Sequence, residues 1–187
     1  MADILEQGKC VLLTVLLFLA SLAANEWFFA GSEFVRGINW IYLPAGVRLI
    51  CTLLFGVPGM LGLLVASWIA CFGYFFPDDF MRSLAGGLLA TCAPCLAYLA
   101  ARRALRLGKN LANLSGRGLL ACIVLFASSN AGLHHGWTIL RGAPADSLQG
   151  LWAMFVGDAL GALAVCYAAR LLLALLPGGT RSAARPS

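Results

Sequence analysis

Hydrophobic residues fall in six long blocks along this chain, at about 10–25, 38–55, 58–76, 81–101, 118–137 and 150–176. A bilayer's hydrocarbon is about 30 Å thick, and a helix rising ~1.5 Å per residue crosses it in about 20 apolar residues. Each block is read as one span. Gly56-Val57-Pro58 separates the second from the third, and Pro77-Asp78-Asp79 ends the third. The pattern predicts an all-α fold, a polytopic integral membrane bundle of six transmembrane helices over residues 10–176. Residues 1–9 form a short N-terminus, and "PGGTRSAARPS" at 177–187 reads as a flexible tail. The first block has the small residues a signal-peptidase site would need. Its flank, "MADILEQGK", carries two acids against one lysine, which suits a retained helix better.

Composition supports the same class. Of 187 residues, 61% are hydrophobic and only 11% charged, and mean hydropathy is +0.87. Soluble domains carry about 25% charged residues, so this chain cannot clothe a water-facing surface. Seven cysteines (10, 51, 71, 92, 95, 122 and 166) lie almost wholly within the apolar blocks. They read as small apolar residues and give no disulfide framework.

Charge placement sets an orientation. Arg102, Arg103, Arg106, Lys109 and Arg117 crowd the link between spans four and five, with no acid among them. The positive-inside rule makes that link cytoplasmic. Lys9, Arg181 and Arg185 then fall inside, while Glu26, Glu33, Asp78, Asp79 and Asp146 fall outside, giving an N-in, C-in chain. Trp27, Trp40, Trp137 and Trp152 sit at the outer span ends, where indoles favour the headgroup region. The net charge of +5 is thus a topology signal that also touches anionic lipids, and nucleic acid is not an expected partner.

The informative residues are polar ones inside apolar blocks. Asp158 in "MFVGDALGALAV" lies about 12 Å below the outer edge of the hydrocarbon, and Arg48 in "YLPAGVRLI" about 15 Å below it. Asn130 and His134, spaced i, i+4 on one face of span five, lie at about 10 and 5 Å. An intramembrane charge finds a partner or a wet cavity, so Arg48 is the expected partner of Asp158. Two readings follow. The pair pins span two to span six, or it floors an outward-facing polar pocket walled by Asn130 and His134, with Trp40 at the rim. Gly157 and Gly161 flank the carboxylate in a row with Ala153 and are expected to mark close helix packing. Ser128, Gly132 and Gly136 form a similar row, also expected to pack internally.

Other chemistry fares worse. Adjacent helical histidines in "LHHGW" point about 100° apart, so His134 and His135 cannot both ligate one haem, and no third histidine exists to build a metal site. "CAPC" at Cys92–Cys95 lacks the electropositive, accessible setting that activates a thiol. No nucleophile elbow, zinc helix or phosphate loop occurs. No catalytic residue, metal or cofactor is expected.

"INWIYLPAGVRLICTLLFG", then "GMLGLLVASW", "AGGLLATCAPCLAYLAARRAL" and "LWAMFVGDALGALAVCYAARLLL" form a recognisable series. It resembles the MASE-type membrane-associated sensor domains of the first class over about residues 38–176. On that match Asp158 is the family's motif aspartate, flanked by Gly157 and Gly161, whereas Arg48 stands where the family pattern is usually apolar. The resemblance implies a sensory or ligand-binding module of the bacterial inner membrane. That family usually feeds a kinase or cyclase, which is lacking here, so a separate signalling partner is expected. The arrangement is also similar, more distantly, to six-helix substrate-binding components of vitamin uptake transporters, which act with separate subunits. A structural or assembly role is the third reading, and a homo-oligomer is compatible with all three.

Overall fold

A computed structural model describes residues 2–104, 114–142 and 147–175. Arg106, Lys109, Asp146, Arg181, Arg185 and the tail at 177–187 lie outside the described residues. Among the described residues six α-helices form one bundle: α1 (Ala2–Phe29), α2 (Leu43–Phe55), α3 (Val57–Ala70), α4 (Phe80–Ala104), α5 (Gly116–Leu140) and α6 (Ser147–Leu175). Counting α3 together with the π-helical turn Cys71–Phe75 that extends it, five are long and apolar enough to cross a membrane. The chain is an all-α, multi-pass membrane protein. Exposed Leu, Ile and Val side chains cover its flanks, as lipid contact requires.

The second block departs from the expected single helix. Ile38–Asn39 is a strand, β2, paired antiparallel with β1 (Glu33–Val35). Gly37, at φ +85°, makes the turn between them in a conformation that side chains disfavour. The chain then runs to Tyr42 without regular structure, and α2 begins only at Leu43. With 13 residues α2 is about 20 Å long, too short to cross the hydrocarbon alone. Pro44 at its start suits a first turn that has no need of that N–H. The free Leu43 N–H donates to Asn25 Oδ1 of α1 at 2.8 Å, a cap supplied from another helix.

Glycines set how deeply this segment enters. A Cβ on Gly157 would strike the Asn39 carbonyl, and one on Gly161 the Tyr42 carbonyl. Tyr42 N–H also donates to Gly157 O at 3.1 Å. The segment 39–42 therefore lies on the bare backbone of α6, and α2 continues beside its far half, where Gly46 meets Val165. Gly157 and Gly161 do mark a close approach, though to extended backbone rather than to a helix face. The row Ser128, Gly132, Gly136 behaves otherwise. Nothing lies within 4 Å of a Cβ built on Gly132 or Gly136, and Ser128 is exposed. The expected internal packing of that row is absent, because α5 turns this face away from its neighbours.

The remaining contacts close the bundle. α1 packs on α3 where Gly62 meets Thr14, and α3 packs on α4 where Gly87 receives the Trp68 ring. Ser83 Oγ donates to the carbonyls of Cys71 (3.0 Å) and Phe76 (2.7 Å), satisfying backbone at the π-helical turn. Phe18, Leu49, Leu63, Ile123 and Phe126 form the buried centre.

Candidate functional site

Because α2 starts late, the space between the hairpin and α2 is not filled by a helix. A cavity of about 270 Å³ occupies it. The hairpin borders one end through Phe34–Asn39, and Arg48, Ser67 and Ala90 border the other. α5 contributes Asn130 and His134 to its wall, and α6 contributes Met154 and Asp158.

Asp158 is 2% exposed. Its Oδ2 accepts a hydrogen bond of 2.7 Å from Asn130 Nδ2, itself 2% exposed. A charge-assisted bond of this length in a dry setting offsets part of the cost of burying the carboxylate.

Arg48 does not do what the sequence predicts. No guanidinium nitrogen of Arg48 lies within 4.0 Å of an Asp158 oxygen, and among the described residues no hydrogen bond or ion pair reaches Arg48. The group is 7% exposed, and its Nε has no partner. It stacks on aromatic faces instead, with Cζ 5.2 Å from the Phe18 ring centre and 5.3 Å from that of Tyr42. The reason is the backbone. Depths of about 15 Å for Arg48 and about 12 Å for Asp158 assume a helix from Ile38, rising ~1.5 Å per residue. Residues 38–42 are strand and extended chain, which advance about 3.3 Å per residue. Gly161 meets Tyr42, so Arg48 leaves α2 on the order of 10 Å deeper than Asp158 leaves α6. The two charges border one cavity from different levels.

The other expected residues divide. Asn130 and His134 line the cavity on one helix face, with Thr138 Oγ1 donating to the His134 carbonyl at 3.0 Å. Trp40 does not line it. Its ring is 42% exposed and packs edge-on against Phe34 at 6.0 Å, because the strand and extended chain turn it outward.

Sequence reasoning passed over several lining residues. Asn39 and Ser67 carry buried polar atoms with no partner, Nδ2 and Oγ. Both were visible as polar letters in apolar runs, and Ser67 was masked by the ease with which serine bonds its own helix. Arg82, in the first turn of α4, places its guanidinium 3.8 Å over the Phe76 ring at the cavity's edge. Arg36 donates to the Tyr74 carbonyl at 2.8 Å beside it. The lining thus holds three arginines against one carboxylate.

All seven cysteines are free thiols, Cys92 and Cys95 included. Among the described residues no group of three or more His, Cys, Asp and Glu side chains is placed to hold a metal ion. No family model matches this chain, and neither does any curated protein or solved structure.

Proposed function

We propose that this protein is an inner-membrane sensor-like module that binds a small ligand in an outward-facing polar cavity and acts through a separate partner protein. The observation that carries the reading is Arg48. A buried guanidinium without an ion-pair partner costs stability, and a site that faces a cavity is where such a cost is retained for function. A structural pin would require the direct Arg48–Asp158 pair, and the two groups do not meet. The positive-inside rule turns Arg102, Arg103 and Arg117 to the cytoplasm and the hairpin end outward. Glu26, Glu33, Asp78 and Asp79 at the hairpin end agree with that orientation. The resemblance to membrane-associated sensor domains supports a signalling role over transport.

Complementation of a gene deletion tests this reading. Arg48→Met and Asp158→Asn should each accumulate in the membrane at near wild-type levels yet fail to restore the deletion phenotype. Full complementation by both variants would remove the cavity from the function.

A further inference from the structure

The cavity presents two opposite charges that do not touch. Arg48 and Asp158 both line it, each more than nine-tenths buried, with no nitrogen–oxygen approach inside 4.0 Å. Asp158 is held on one oxygen by Asn130, and the Arg48 Nε has no partner. We propose that the cavity takes a small zwitterion, an α-amino acid with an apolar side chain, whose carboxylate pairs with Arg48 and whose ammonium pairs with Asp158. The inference rests on reading the cavity as a ligand site.

The charges argue for both ends of the ligand. An anion alone would compensate Arg48 but add a second negative charge near Asp158. A cation alone would do the reverse. A ligand bearing both groups satisfies each side without changing the net charge around these two buried groups, while Arg36 and Arg82, at the hairpin end, are engaged with Tyr74 and Phe76. Geometry agrees, because charge-assisted hydrogen bonds of about 2.8 Å at each end let such a ligand bridge groups that cannot reach each other. Asn39, at the hairpin end, and Ser67, at the end with Arg48, add buried polar atoms without a partner, Nδ2 and Oγ, to the same lining. Size and wall chemistry define the remainder. Small-molecule sites span about 300–1,000 Å³, so a cavity of about 270 Å³ suits a small ligand. Ala70, Phe75, Ala90 and Ala131 supply an apolar wall for its side chain. Arg36 and Arg82, at the hairpin end, favour entry with the carboxylate leading.

The test uses the full chain in detergent and follows its unfolding temperature. The probes are L-valine, L-leucine, L-methionine and L-phenylalanine, each with its deaminated acid and its decarboxylated amine. At least one amino acid should raise the unfolding temperature by roughly 5 °C at saturation, while its matching acid and amine do not. In Asp158→Asn, where Asn130 can still bond the side chain, the preference for the amino acid over its acid should fall at least tenfold. An acid or amine that binds as well as the amino acid would overturn the zwitterion assignment while leaving a ligand site. An unchanged preference in Asp158→Asn would overturn it equally. No response to any probe would also overturn it, and the complementation results would then judge the ligand-site reading separately.

Discussion

At Gly161 a methyl group would occupy the space of the Tyr42 carbonyl oxygen, and at Gly157 that of the Asn39 carbonyl oxygen. Neither obstacle is a flexible side chain, so the backbone itself must move. Gly161→Ala should therefore destabilise the protein by about 1–3 kcal/mol, the usual range for overpacking, and lower its unfolding temperature in detergent. Gly132→Ala is the control. Nothing lies near its Cβ, so the gain in helix propensity, about 0.5–1 kcal/mol, should leave stability unchanged or improved. The sequence offered the same small-residue spacing in both rows. Which row packs depends on which helix face meets a neighbour, and that is decided by the whole bundle. Asp158 was legible as a lone carboxylate in an apolar run, and Arg48 as its opposite. Their pairing was misread because depth was counted at one rise per residue through a segment that is not helical.

α2 is the element on which the site depends. Its late start leaves the cavity above it, and its N-terminus is held by Asn25, a residue of α1 that is 0% exposed. No periodicity in the second block announces this cap, because donor and acceptor are 18 residues apart and belong to different elements. Gly56, at φ +59°, then reverses the chain into α3. That break was readable, since glycine and proline punctuate apolar runs strongly. Asn25→Ala should cost about 1 kcal/mol, within the range for lost caps, because the Leu43 N–H would be left unpaired in a dry setting. Hydrogen exchange should show faster opening of the first turn of α2 in the variant, with α4 and α5 unaffected. Equal protection in both proteins would mean that the cap does not hold the helix start.

At the scale of the whole molecule, composition and block length suffice for the all-α membrane class, because burial in lipid is an averaged property of many residues. The end-to-end arrangement of charge is equally plain. Glu26, Glu33, Asp78 and Asp79 gather at the hairpin end, and Arg102, Arg103 and Arg117 lie at the opposite end, with Lys9 beside Asp3 and Glu6. Reporter fusions after Ala112 and Ser187 should behave as cytoplasmic, and a fusion after Ala143 as external. An external signal from the Ser187 fusion would break the N-in, C-in arrangement, and inverted signals from all three fusions would turn the cavity inward.

The central claim is that Arg48 and Asp158 face a shared cavity rather than each other, and a double-mutant cycle on unfolding free energy tests it most directly. Arg48→Met, Asp158→Asn and the combined variant would be unfolded reversibly in detergent beside the wild type. Groups that are not in contact should couple by no more than about 2 kcal/mol, through space alone, and Arg48→Met alone should cost no more than about 2 kcal/mol, the worth of its contacts with the Phe18 and Tyr42 rings. A single substitution costing about 3–5 kcal/mol, rescued in the double variant, is the signature of a buried ion pair. That result would contradict the account and make the two residues a structural pin.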